Sequence, residues 1–156
     1  MNGYLAIVAD GAQARFMALE RRADMPARAA LRLVESTRLE NPEHTVSGRR
    51  DARKIKSGRD TAPHGSTDHR APHDAELMRR FAGLIGKQAA TLAADGKVSI
   101  VVLVADTRML GLLQAALEPV AKAGVSLREL ARDYTWCSAP QVQRHLTENG
   151  LIPGAQ

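Results

Sequence analysis

Hydrophobic positions change period several times along the chain, and each change marks an element. Residues 4–9, Tyr-Leu-Ala-Ile-Val-Ala, are a continuous apolar run with β-branched members, the pattern of a strand buried on both faces. Asp10-Gly11 ends it with turn chemistry. Residues 14–20 read as a second strand returning across that turn as a hairpin. Helix competes there, because Ala, Met, Leu and Glu favour it. Residues 21–27 carry Asp24 and Pro26 and read as a loop. Over 28–38, Leu31 and Leu33 alternate with Arg32, and Thr37 precedes Arg38, which predicts a third, half-exposed strand.

From residue 41 to 73 the periodicity disappears. Three prolines (Pro42, Pro63, Pro72) and three glycines (Gly48, Gly58, Gly65) punctuate a stretch with little to bury. The expectation is a long mobile insertion, of a kind that is usually functional or disordered in a compact domain. Helical spacing resumes after Asp74, a candidate N-cap behind Pro72, with Leu77, Phe81, Leu84, Ile85 and Leu92 on the pattern. Asp95-Gly96 closes that helix. Residues 98–105 are the strongest strand, apolar at nearly every position and therefore central in a sheet. Asp106 or Thr107 caps a second helix carrying Leu110, Leu113, Leu117 and Val120, and Gly124 ends it. Residues 125–130 predict a weaker edge strand. Ala139-Pro140 opens a last short helix through Leu146, with proline suited to its first turn.

The order β-β-β, loop, α-β-α-β-α predicts an α/β domain. Three strands joined by short turns pair antiparallel, and the later strands join in parallel by right-handed crossovers. A five-stranded mixed sheet with the first strand beside residues 98–105 matches the ribonuclease-H-like architecture. A length of 156 residues fits one domain, 1–156, able to bury a core unaided. Aromatics are only 3% of the chain, so the core is aliphatic and an aromatic platform for stacked bases is not expected. A single Cys137 excludes an internal disulfide and a multi-cysteine zinc site. There is no leader pattern, and no apolar run approaches the ~18 residues of a membrane span, so the expectation is a cytoplasmic protein without a span.

Charge changes the picture more than composition does. The chain holds 22 Lys or Arg and 17 Asp or Glu. Residues 48–59 alone contribute six cations, Arg49, Arg50, Arg53, Lys54, Lys56 and Arg59, against Asp51, which leaves 16 of each sign elsewhere. The whole net +5 thus lies in one segment. Such a segment can track a phosphate backbone, with salt-dependent binding. It can equally be a solvated loop without a partner. Ile55 is its only large apolar residue, so base readout is not indicated.

Four of five histidines, His44, His64, His69 and His73, fall in the same insertion. His64, His69 and His73, with Asp68 and Asp74, are candidate metal ligands. Pro72 between the last two argues against the continuous helix that would align them. Acids at strand ends offer a second chemistry. Asp10 follows the first strand and Asp106 the fourth. With Glu76 from the long helix they would form a carboxylate set able to hold Mg²⁺ for phosphodiester hydrolysis. The competing reading makes Asp10 a turn residue and Asp106 a helix cap. Arg15 and Arg108 near the same end can bind a phosphate or neutralise those acids. Tyr134, Trp136 and Cys137 sit in the loop after the last strand, and a lone cysteine beside an aromatic, with no partner histidine placed next to it, reads as packing and not as a nucleophile.

Four blocks carry a family likeness. They are residues 8–16 (Val-Ala-Asp-Gly-Ala-Gln-Ala-Arg-Phe), Phe81-Ala82, residues 103–111 (Leu-Val-Ala-Asp-Thr-Arg-Met-Leu-Gly), and residues 132–135 (Arg-Asp-Tyr-Thr) followed by 142–146 (Val-Gln-Arg-His-Leu). In order and spacing they resemble the bacterial family known as "protein required for attachment to host cells", over the whole chain except the loop. That resemblance implies kinship with the middle domain of archaeal and eukaryotic peptide-chain release factors, and a ribonuclease-H-like fold. Release factors carry a Gly-Gly-Gln tip before the long helix. Residues 63–72 lack it, so peptidyl-tRNA hydrolysis is not implied. Where the attachment family has an Ala-Pro-like turn after the fourth strand, this chain has Asp106-Thr107.

The sequence therefore predicts a release-factor-like domain, non-enzymatic and without cofactor, whose six loop cations bind ribosomal or transfer RNA. The alternative is a host-attachment or protein-interaction factor whose loop meets an acidic protein surface. A third reading is a Mg²⁺ nuclease using Asp10, Glu76 and Asp106. Oligomeric state is not fixed by the sequence.

Overall fold

The computed structural model describes residues 3–22, 24–25, 31–43 and 63–154, the side chains of residues 63–73 excepted. The described elements run β1 (Gly3–Ala9), β2 (Gln13–Arg21), β3 (Leu31–Glu40), α1 (Pro63–Ala93), β4 (Val98–Ala105), α2 (Thr107–Ala116), α3 (Glu118–Lys122), β5 (Ser126–Ala131) and α4 (Ala139–Glu148). The five strands form one open mixed sheet in the order β3-β2-β1-β4-β5. β1 pairs antiparallel with β2 and parallel with β4, as the hydrophobic pattern predicts. β2 is a strand throughout, so pairing on both sides overrides its helical propensity.

Both faces of the sheet are covered, which is why β1 and β4 read as unbroken apolar runs. On one face Leu5, Ile7, Phe16, Val101 and Leu103 meet Phe81 and Ile85 of α1 and Met109 and Leu113 of α2. On the other, Ala6, Val8, Met17, Leu33, Val102 and Val104 meet Val142 and Leu146 of α4 and Ile152. Successive strand residues thus feed opposite cores, as period-two geometry requires.

Two helix expectations need correction. α1 is 31 residues long and begins at Pro63, not near Asp74, so the carboxyl-terminal part of the expected loop is helix. Pro72 does not stop it. A proline removes one backbone hydrogen bond but leaves the turns on either side intact, and extending a formed helix needs no new nucleus. Pro63 at the first helical position suits the start. The single helix expected after β4 is two. α2 ends on Leu117, and α3 restarts with Pro119 in its first turn. Proline has no N–H to continue the α2 ladder, whereas it suits the first turn of a new helix.

One more departure lies inside β3. Thr37 faces Phe16 and Glu35 faces Met17, so Ser36 is an extra residue with no partner in the ladder. The Ser36 hydroxyl donates to the Phe16 carbonyl at 3.1 Å. The bulge reverses the facing of the strand. Leu33 packs toward α4, whereas Leu39 packs toward α1. The start of this edge strand is also occupied. Gln143 of α4 accepts from the Leu33 N–H at 2.9 Å and donates to the Leu31 carbonyl at 3.1 Å. Bulge and amide together blunt the edge against pairing with another chain.

α1 and α2 approach closely where Gly86 meets Ala116. A Cβ at Gly86 would lie 2.7 Å from the Ala116 carbonyl oxygen. Gly86→Ala is therefore expected to cost about 1–3 kcal/mol by overpacking, despite alanine's better helix propensity. Urea unfolding checks this. The midpoint should fall at constant slope, and an unchanged or raised midpoint would mean that the helices part freely.

Candidate functional site

β1, β4 and β5 run parallel, so their carboxyl ends share one end of the sheet. β1 leads left into the hairpin and β4 leads right into α2, and this divergence is where open α/β sheets place ligands. Of the residues singled out from sequence, Asp10, Asp106, Arg15 and Arg108 lie at this end, and the first three are already committed. Asp10 Oδ1 accepts from the Ala12 N–H at 2.7 Å and the Gln13 N–H at 2.8 Å, which shapes the β1–β2 turn. Asp106 caps α2, its Oδ1 accepting from the Met109 N–H at 2.8 Å. Both acids fill the local structural roles that their positions suggest.

The centre of this end is Arg15, only 6% exposed. Its Nε donates to Glu35 Oε1 at 2.6 Å. Its Nη1 donates to the carbonyls of Thr135 at 3.1 Å and Cys137 at 2.5 Å. The ion pair expected for Arg15 thus exists, but with Glu35 rather than Asp10. Across the β2–β3 ladder Arg15 faces Arg38, an opposition of like charges. Glu35 resolves it by reaching Arg38 as well, Nη2 to Oε2 at 3.1 Å. The bulge at Ser36 makes this possible, because it brings Glu35 and Arg38 to one side of the strand. Sequence reasoning missed Glu35. The available signal was a charged residue, Arg15, inside the apolar run of β2, which requires a buried partner.

Thr135, itself buried, joins the network to β1. Its hydroxyl lies 2.7 Å from Asp133 Oδ1 and 3.2 Å from Asp10 Oδ2, so one proton is shared with the shorter contact favoured. Its N–H donates to Asp133 Oδ1 at 3.2 Å. The loop after β5 continues under tight control. The Cys137 N–H donates to the Tyr134 carbonyl at 3.0 Å. Ser138 and Gln141 form a reciprocal capping box at the start of α4. Tyr134 stacks on His145, ring centroids 4.5 Å apart, and Cys137 is half-buried. Trp136 is 83% exposed although the carbonyls on both sides of it are held.

Glu76 does not join Asp10 and Asp106 in a shared contact; it forms a two-bond pair with Arg79 at 2.6 and 2.8 Å. Arg79 holds the Glu76 carboxyl below its ordinary value, chiefly through these bonds. A depressed carboxyl stabilises the fold at neutral pH and loses that contribution as pH falls through its folded-state value. The pair is solvated, so the contribution is small. Arg108 is exposed and forms no ion pair among the described residues. Among those residues no three His, Cys, Asp or Glu side chains gather as a metal site. The backbone of His64, His69 and His73 lies in α1, with His69 and His73 four residues apart on one continuous helix; their side chains are outside the described set. His44 and the cations Arg49, Arg50, Arg53, Lys54, Lys56 and Arg59 also lie outside the described residues.

The opposite end of the sheet has a shallow apolar groove of about 360 Å³ between the end of α1 and α3, lined by Ala90, Ala93, Val98, Pro119 and Val125 among others. Its lining carries no titratable group. No described helix is long and apolar enough to cross a membrane.

The family described as protein required for attachment to host cells matches residues 5–146, and the chain belongs to that family. No curated protein matches the chain in sequence.

Arg15→Met keeps the side-chain bulk and removes the charge. It strands two carbonyls and leaves Glu35 with Arg38 alone, at an expected cost of about 3 kcal/mol. Amide exchange over 133–138 should accelerate more than the global loss requires, because the loop loses its tether. Uniform acceleration across the sheet would show that Arg15 does not hold the loop.

Proposed function

We propose that the protein is a non-enzymatic binding factor in attachment to host cells, with the cations Arg49, Arg50, Arg53, Lys54, Lys56 and Arg59 meeting an acidic partner surface. The observation that carries this reading is the family match over residues 5–146. A binding role is supported by the carboxyl end of the sheet, where Asp10 and Asp106 serve backbone geometry instead of leaving a cluster of open carboxylates. The third reading, a Mg²⁺ nuclease, would need those same acids to exchange their backbone donors for a metal. The finer architectural label, ribonuclease-H-like, belongs to the same proposal and is supported by the strand order β3-β2-β1-β4-β5. Kinship with the release-factor middle domain would follow from it. Fold alone does not carry function across such kinship.

A second reading keeps one specific observation in its favour. The six cations lie within residues 48–59 with a single acid, a density suited to ribosomal or transfer RNA. Attachment also requires the protein at the cell surface, whereas the RNA reading keeps it in the cytoplasm.

One set of strains separates these. Cells lacking the protein should adhere to host cells at least tenfold less, and wild-type protein should restore adherence. A variant with all six cations changed to Gln should not. Normal adherence without the protein would end the attachment reading. Sedimentation with ribosomes at low salt, lost in the six-Gln variant, would move the assignment to RNA.

A further inference from the structure

The two edges of the sheet differ. The start of β3 is closed by the Ser36 bulge and by Gln143, which occupies the Leu33 N–H and the Leu31 carbonyl. The opposite edge is β5, whose pairing with β4 runs from Ser126 to Ala131 without a bulge. In a parallel pair, alternate residues of a strand turn both backbone groups toward the neighbour. The Arg132 N–H donates to the Ala105 carbonyl at 3.1 Å, which fixes that alternation. Ser126, Arg128 and Leu130 therefore face β4, and Leu127, Glu129 and Ala131 turn their N–H and C=O groups outward. The Arg132 guanidinium takes the Ala131 carbonyl at 2.9 Å. Among the described residues no hydrogen bond reaches the other outward groups.

That row of groups matches one kind of ligand. Donor and acceptor recur together about every 6.6 Å along a strand. Another extended backbone carries the same groups at the same spacing, whereas the backbone groups along the side of a helix are already paired. The side chains narrow the match. Leu127 packs on the α1–α2 side of the sheet and Leu130 on the α4 side. Arg128 is engaged, with Nη1 donating to the Leu151 carbonyl at 2.9 Å and the guanidinium 5.9 Å from the centre of the Tyr4 ring. Glu129 is exposed in the middle of the edge, and its described partner is the neutral side-chain amide of Gln114. A carboxylate placed there favours a cation directly across from it.

A second copy of the chain fits this edge poorly. A two-fold axis that extends the sheet keeps its faces, so each residue meets one of its own parity. Centring the pair on Arg128 sets guanidinium against guanidinium, and centring it on Glu129 sets carboxylate against carboxylate, both unfavourable. Centring it on any other residue of β5 pairs no more than three residues of the strand. We propose that the β5 edge takes up an extended segment of a different protein, added antiparallel to β5, with a lysine or arginine opposite Glu129. This contact is separate from the cations of residues 48–59 and does not depend on what they meet.

The probe is a capped, dye-labelled peptide, Thr-Thr-Val-Lys-Thr-Val-Thr, whose lysine falls opposite Glu129 when its second and sixth residues face Ala131 and Leu127. In the free full-length protein the Leu127 and Glu129 amides should exchange fast and those of Arg128 and Leu130 slowly. The peptide should bind saturably by fluorescence polarisation and slow the first two. Methylating the lysine amide nitrogen should weaken binding at least tenfold, and methylating the amides on either side of it should not, because only alternate amides face β5. Replacing the lysine by glutamate should weaken binding at least threefold, and Glu129→Lys should reverse that preference. Glu129→Pro removes an outward N–H and leaves the β4 ladder whole, so it should abolish binding with unchanged circular dichroism. No saturable binding, or equal loss from both methylation patterns, overturns the proposal. Binding without a charge preference overturns the cation opposite Glu129. Slow exchange of Leu127 and Glu129 in the free protein shows the edge already covered and overturns it too, in favour of a second copy where dilution restores fast exchange and of the chain's own residues where it does not.

Discussion

A guanidinium buried in the sheet end constrains everything around it. A guanidinium brings five N–H donors and a charge into the fold, so the burial of Arg15 demands partners. It finds them on two segments: β3 supplies Glu35, and the loop after β5 supplies two carbonyls. Those segments are 20 residues and more than 100 residues away in sequence. The contribution to net stability is modest, because the attraction mainly offsets the desolvation of both charges. What the arrangement secures is geometry. Thr135 is held, its hydroxyl reaches Asp10 and Asp133, and the backbone on either side of Trp136 is tied to Arg15.

The bulge at Ser36 is the companion constraint. In a regular strand Leu33 and Leu39 would face the same side, since an even number of residues separates them. The extra residue sends Leu33 to the α4 core and Leu39 to the α1 core. It also brings Glu35 and Arg38 to the side where Arg15 is buried. One irregularity thus serves packing on two faces and charge balance at the sheet end. It lies on an edge strand, where a bulge also discourages unwanted pairing.

These two features mark where sequence reading stops. Residues 98–105 were legible as a central strand because burial on both faces leaves no polar position. Asp10 beside Gly11 and Asp106 before a helical pattern were legible as a turn residue and a cap, because those roles need only local bonds. The Arg15–Glu35 pair was not legible, because it depends on the β2–β3 register, and the register depends on a bulge without a sequence signature of its own. The start of α1 was misplaced by giving Pro72 a veto that it holds only over one hydrogen bond. Pro119 was underweighted in the opposite sense, since it opens a new helix where the apolar spacing from Leu113 through Leu117 to Val120 looks continuous.

Charge divides the molecule in a way that bears on how any contact would form. The net +5 resides in residues 48–59, and the remainder is balanced. At physiological ionic strength screening acts over about 8 Å, so those cations favour an anionic surface without selecting among such surfaces. Selection requires fixed groups at short range, which a long run of cations with one acid does not supply by charge alone. On the proposed reading the two parts divide the work of binding. The basic segment would raise the encounter rate with an acidic surface, in a salt-dependent way. Discrimination would then fall to the folded part, where side chains and loop backbone are held by buried bonds such as those of Arg15.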